Sequence, residues 1–392
     1  MKHIVPTIMI KRMRAIIFIP ELSGHHLEYM HHIYSGVCNM HDDVDFIFVV
    51  PVTFIEKSKV LEWPERSNVT FDYIKETECA QYQDKDGVRV SFILASILRS
   101  RIKSHKAEIV YSQHLMKLLP AALFMIPRGV RLSGIIYKIY LYDWKKKGWF
   151  GRLADVVKYL CFSKAKCFDK ILILNDFAAA HRMNKLWHTD RFTYLPDPFI
   201  PLSGGEQIDL RAKYSIEGSD LILAHFGSLS LRKGTMTILD SIADLPLSEK
   251  CRCVFFFAGR LRADIREQFY NRLKSISDAR IVIEDRFCSF DYLYSLCSAA
   301  DGILIPYQET GQSSGIIGYA SQFGVPVVAP ASGLLGKLVR FYSLGITLEK
   351  ITPDRLIEAY SQIGHVPKPS DRYCQEHTVN AFCAELSELF IK

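Results

Sequence analysis

No apolar stretch of this 392-residue chain runs to the roughly 18 residues that a membrane-crossing helix requires. Two apolar runs open the chain, in MKHIVPTIMIKRMRAIIFIP, but Pro6 and the basic residues Lys11, Arg12 and Arg14 interrupt them, so neither an export signal nor a span is expected. No Cys-x-x-Cys pair occurs. The ten cysteines are scattered, mostly inside apolar stretches (Cys161, Cys167, Cys297), with one Cys251-x-Cys253. That usage argues against a structural zinc site and for reduced thiols in a cytoplasmic protein. Low-complexity tracts and internal repeats are missing too, which removes the fibrous, disordered and solenoid classes. Charge of one sign is scarce: the net charge is +7, and residues 131–170, with ten basic and three acidic groups, hold a surplus of that same size. The remainder is balanced, which argues against a nucleic-acid partner gripped by a broad basic face.

What is present is globular material, 49% hydrophobic and 23% charged. At about 150 residues per domain the length predicts two domains. Short apolar runs alternate with amphipathic stretches. AIIFIP (15–20), VDFIFVV (44–50), EIVYS (108–112) and KILILN (170–175) are strand candidates in the first half. LILAHFG (221–227), CVFFFAG (253–259), ARIVIED (279–285), GILIPY (302–307) and VPVVAP (325–330) are those of the second. Helical patterns over 26–37, 234–246 and 289–300 lie between them. Near-continuous apolar strands separated by helices predict parallel sheets covered on both faces. YLPDPFIPLSGGEQ (194–207), with three prolines and two glycines, reads as a linker. The expected division is 1–199 and 200–392, with a terminal helix, HTVNAFCAELSELFIK, able to pack back on either half, the N-terminal domain included.

Two stretches of the second half have phosphate-binding grammar. In LAHFGSLSLRKGTMTILDSI a strand ends at Gly227, a Ser-rich turn containing Ser228 follows, and Arg232-Lys233-Gly234 leads into a helix. Backbone N–H groups at a helix start and two adjacent cations both favour an anion, and a diphosphate suits them; a solvated basic turn is the competing reading. In YQETGQSSGIIGYASQFGVPVVAP a small-residue turn, Gly311 to Gly315, joins a strand to a helix, with Ser313 and Ser314 offering hydroxyls. A tight structural turn competes there. Two such turns at strand carboxyl ends favour one ligand held between them.

The order FGSLSLRKG, VFFFAGRL, SAAD before a strand, PYQETGQSSG, GVPVVAP and SGLLGKLV resembles the nucleotide-sugar-binding half of a GT-B glycosyltransferase of the family 4 type, over roughly residues 218–390. The first half and LPDPF match less specifically. The resemblance implies an α/β fold of two Rossmann-like domains facing a central cleft, with the donor mainly on the C-terminal domain and the acceptor mainly on the N-terminal one. It further implies a hexosyltransferase-like enzyme that retains anomeric configuration, needs no metal or cofactor, and takes a nucleotide-diphosphate sugar as substrate. By the same resemblance, Arg232 and Lys233 hold the diphosphate, and Gly227, Ser228, Ser313, Ser314 and Gly315 line it. Two glutamates eight positions apart are usual in that family, on donor sugar and ribose; here Gly311 and Tyr319 occupy those places, with Glu309 two residues upstream.

In the first half Ser23, Gly24 and His25 fall on the loop after the first strand, the expected acceptor side, and His114 follows another strand. His25 and His114 are therefore catalytic candidates beside Arg232 and Lys233, against surface or packing roles. The family's further histidine has no counterpart in VRLSGIIYKIYLYDW, so no general base is assigned, and the leaving diphosphate is expected to take the acceptor proton. Asp43-Val44-Asp45 and Asp84-Lys85-Asp86 read as solvated turns and not as a metal site. YKIYLYDWKKKGWFGR (137–152) interleaves Tyr and Trp with Lys and Arg, the composition of a segment touching an anionic membrane surface; a basic surface loop is the alternative. The sum is a cytoplasmic, membrane-peripheral transferase of polysaccharide biosynthesis acting on a glycan or lipid-linked acceptor. A nucleotide-sugar epimerase of the same architecture and a non-catalytic GT-B relative binding a nucleotide or glycan remain open.

Overall fold

The computed structural model describes residues 12–22, 25–137, 139, 142, 144–311 and 314–391. Two parallel sheets organise them, one in each of two units, Met1–Pro196 with Val379–Lys392 and Asp197–Thr378.

The first sheet runs β3-β2-β1-β4-β5-β6-β7. Its strands are β1 Met13–Phe18, β2 Val44–Pro51, β3 Val69–Ile74, β4 Ile109–Ser112, β5 Arg131–Ile136, β6 Phe168–Leu174 and β7 Phe192–Leu195. Alternate residues serve opposite faces, as a pleated strand demands. Ala15 and Ile17 join Phe46, Phe48 and Tyr111 in one buried cluster, whereas Ile16 and Phe18 join Ile47, Val49 and Val110 in the other. Both faces are covered by helices, which is why these strands read as unbroken apolar runs.

The terminal helix Val379–Ser387 sends Phe382, Cys383 and Leu386 into the cluster of Met30, Ile33 and Val37. The junction falls between Pro196 and Asp197, three residues before the expected 199/200 boundary, and the tail counts with the first unit, one of the two placements the sequence left open.

The second sheet runs β10-β9-β8-β11-β12-β13. Here the strands are β8 Leu221–Phe226, β9 Cys253–Ala258, β10 Arg280–Glu284, β11 Gly302–Leu304, β12 Val327–Pro330 and β13 Gly345–Leu348. In each sheet strand order reverses beside the first strand, between β1 and β4 and between β8 and β11. Chains leaving the carboxyl ends of such a pair diverge to opposite faces and leave a crevice, the usual ligand position of open α/β sheets.

Candidate functional site

The carboxyl ends of β8 and β11 carry Arg232-Lys233 and the 307–315 loop. After β8 the chain turns at Gly227 (φ +98°), makes a tight turn over Leu231–Lys233, and passes Gly234 (φ +75°) into the helix Thr235–Asp244. Gly234 meets two demands at once: its φ is left-handed, and a Cβ there would collide with the Pro306 carbonyl at the exit of β11. The two loops are bonded directly. Gln308 N–H donates to the Arg232 carbonyl at 2.8 Å, the Lys233 ammonium stands 5.4 Å from the Tyr307 ring centroid, and the Tyr307 and Ser314 hydroxyls are 3.3 Å apart.

The N–H groups of Lys233, Gly234 and Thr235 donate to Ser230 and Leu231 carbonyls, so those three are not open to an anion. The side-chain cations add charge to that helix start. Arg232 is exposed and Lys233 half-buried, and among the described residues neither has a carboxylate partner. Burial, with the Arg232 charge behind it, pulls the Lys233 ammonium down to about 8. A half-buried cation lacking a counter-ion is costly, and an arriving anion offsets that cost. Arg260, just past β9, is exposed and adds a third cation at the same end of the sheet; its carbonyl accepts the Leu229 N–H at 3.0 Å. Gly259 (φ +141°) permits this approach, since a Cβ would overlap the Gly227 carbonyl.

Beneath the loop lies a relay that sequence reasoning missed. His225 is buried in β8; its Nδ1–H donates to the Leu304 carbonyl (2.8 Å) and its Nε2 accepts from the Thr235 hydroxyl (2.9 Å). Thr235 Oγ1 in turn accepts the Ser230 N–H at 2.9 Å, fixing the turn that presents Arg232 and Lys233. Burial, and next the Lys233 charge, hold the imidazole down at about 4, so it is neutral as the relay requires. The available signal was one polar residue inside an apolar strand.

On the second loop Gly315 faces open space, Glu309 is exposed and Gly311 is buried. Ser313 lies outside the described residues. Exposed Gly227 and Ser228 border Lys233, whose Nζ is 3.1 Å from where a Gly227 Cβ would stand. Tyr319 packs its ring on Phe199 (5.2 Å between centroids) and Phe226 (6.0 Å). An aromatic cluster therefore fills the place where the resemblance implied a carboxylate.

In the first unit the residues following β1 and β4 meet. His26 and His114 lie edge to face with ring centroids 4.2 Å apart, and Tyr137 is 5.6 Å and 6.1 Å from them. Burial lowers His26 to about 4 and His114 to about 3, so both are neutral at ordinary pH. His26 Nδ1, His114 Nε2 and Gln113 Oε1 are buried with no hydrogen-bond partner among the described residues, and Glu21 stands 3.8 Å from His114. Buried polar atoms left unpaired mark a place for a polar guest. His25, the candidate from sequence, is instead at the surface, its Nδ1 3.4 Å from Glu28; the residue delivered to the cluster is His26. Ser23 and Gly24 lie outside the described residues.

Within 137–152, Tyr137 and Trp144 pack against the core and Lys147 is held by Asp155, so these groups do not form an open basic-aromatic face. Asp45 pairs with Arg12 and Asp86 with Lys117; among the described residues no cluster of three or more His, Cys, Asp or Glu could hold a metal.

No protein-family model and no curated protein matches the chain in sequence. Solved structures match it over nearly its whole length. WaaG, a glycosyltransferase involved in lipopolysaccharide biosynthesis, superposes with a TM-score of 0.63 at 16% identity, over 96% of this chain and 99% of that one. HepE of Anabaena, in complex with UDP and glucose, gives 0.66 at 14% identity, over 96% and 99%. Sucrose-phosphate synthase from Thermosynechococcus elongatus gives 0.67 at 12% identity, over 97% and 98%. With its two parallel sheets, reversed strand orders and these likenesses, the chain has the GT-B fold.

Proposed function

We propose that the chain is a glycosyltransferase that moves a sugar from a nucleotide-diphosphate sugar to a glycan or lipid-linked acceptor. The observation that carries this reading is the bonded pair of loops at the β8/β11 reversal, with Arg232 and Lys233 lacking carboxylate partners among the described residues. Solved structures of the same fold that hold UDP or UDP-glucose support the donor class. One involved in lipopolysaccharide biosynthesis supports a glycan acceptor and a role in polysaccharide biosynthesis. In this reading the bond from the sugar C1 to the diphosphate oxygen breaks with its electron pair going to the diphosphate. The acceptor hydroxyl oxygen bonds to C1, and its proton passes to the leaving phosphate. Arg232 and Lys233 stabilise the charge that grows there, a task for preorganised cations in a partly buried site. Such a transfer retains configuration and needs neither metal nor protein base. His26 and His114 would receive sugar hydroxyls on the first unit. Ten free cysteines support a cytoplasmic setting, and the enzyme works there as a membrane-peripheral protein; no described helix is long and apolar enough to cross a membrane.

A panel of nucleotide sugars screened by thermal shift, followed by assay of the stabilising one for slow hydrolysis, tests this. Stabilisation with release of free sugar supports the reading. Stabilisation without hydrolysis or transfer points to a binding protein, and isomerisation of the nucleotide sugar alone points to an epimerase.

A further inference from the structure

The helix Trp149–Lys164 of the first unit turns an apolar face to the outside. Its inner side is accounted for: Tyr159 and Phe162 are in the core and Asp155 holds Lys147. Outward stand Trp149 and Phe150, 69% and 80% exposed, and Leu153, Val157 and Leu160, 46%, 49% and 44% exposed. At about 100° per residue these five side chains fall within about 100° of arc, a stripe and not a scatter. Around the stripe Lys145, Lys158, Lys164 and Lys166 are exposed. Lys164 donates to the His188 carbonyl, while Lys145, Lys158 and Lys166 have no ion-pair partner among the described residues. Arg152 is occupied, donating to the Trp144 carbonyl.

We propose that this face docks on an anionic lipid bilayer, with Trp149, Phe150, Leu153, Val157 and Leu160 entering the interface and the flanking lysines meeting headgroups. Charge complementarity selects that occupant. The apolar stripe would suit any apolar partner, but it lies in the segment of ten basic and three acidic residues, whose surplus equals that of the whole chain. Two aromatics at one end of an amphipathic helix, with lysines at its edges, match the interfacial mode of binding, in which rings sit at headgroup level and lysine stems reach past apolar surface. The proposal names the surface for the membrane-peripheral part of the reading above and does not depend on its chemistry.

Co-sedimentation of the full chain with phosphatidylcholine vesicles, with and without phosphatidylglycerol, tests it. Binding is expected with the anionic vesicles and falls on adding salt. Phe150→Ser with Leu153→Ser should weaken it by at least about tenfold while leaving the melting temperature and donor stabilisation in place. Lys145→Glu with Lys158→Glu should remove the preference for phosphatidylglycerol. Arg232→Ala, which should weaken donor binding, should leave vesicle binding intact, so the two readings fail separately. No binding to anionic vesicles, or binding unchanged in the Phe150/Leu153 variant, overturns the proposal. So does sedimentation of the lipid-free wild type as a dimer that the same variant splits, because a second copy would then cover the stripe.

Discussion

The backbone N–H of Gln308 donates to the carbonyl of Arg232 at 2.8 Å. Residues far apart in the chain thereby become one surface: the basic turn after β8 cannot move without the 307–315 loop after β11, and Lys233 over Tyr307 adds a second tie. A ligand held by the cations is held by both loops.

If Lys233 holds the donor diphosphate as proposed, binding should weaken in alkali. Burial lowers its ammonium to about 8, and only the protonated form attracts a diphosphate. Affinity should be flat from pH 6 to about 7.5 and decline as pH rises through about 8 to 9.5, measured by calorimetry with one nucleotide sugar. Lys233→Arg keeps its charge over that range and should flatten the decline.

The relay under the turn should matter to stability and binding together. Thr235→Val leaves His225 Nε2 and the Ser230 N–H without their shared partner, at a cost of about 1–3 kcal/mol. Denaturant unfolding should show that loss, and donor affinity should fall although Thr235 touches no ligand in this account.

Gly259→Ala should be among the most damaging small substitutions in the second unit. The added methyl would enter the space of the Gly227 carbonyl at a φ of +141°, so a loss of about 2 kcal/mol or more is expected from thermal melts. Gly364→Ala, with nothing within 4 Å of the new Cβ, is the control and should be close to neutral.

Acid should act on the first unit through His26 and His114. Their folded-state values, about 4 and about 3, lie below the ordinary 6.5, so the stability they contribute is present above about 6.5 and is lost as pH falls toward 4. The loss is on the order of 2–3 kcal/mol for each histidine near pH 4.5. His26→Gln with His114→Gln should show a smaller drop in melting temperature between pH 7 and 4.5 than the wild type.

Much of the fold was legible because strands buried on both faces leave long apolar runs. All nine strand candidates lie on strands of the structure. The four others lack that signal for physical reasons. β3 and β13 are edge strands with half-buried faces, β7 is a four-residue edge strand beside the prolines of the linker, and β5 is interrupted by Ser133 and Gly134. Of the candidate site, the turns carrying Arg232, Lys233 and Ser314 were legible as turns, because short loops after strands announce themselves locally. The His225–Thr235 relay and the His26–His114 pair were not, since each depends on which elements the sheets bring together. Composition located the basic aromatic segment but not its face: Tyr142 and Trp144 pack against the core, and the open stripe continues to Leu160.

The proposed function stands on Arg232 and Lys233 as the grip on a diphosphate. Calorimetric titration of the best nucleotide sugar into wild type, Arg232→Ala and Lys233→Met tests it most directly. Each variant should fold as the wild type does and bind about 10- to 100-fold more weakly, the scale of a lost charge-assisted hydrogen bond. Unchanged affinity in both variants would contradict it.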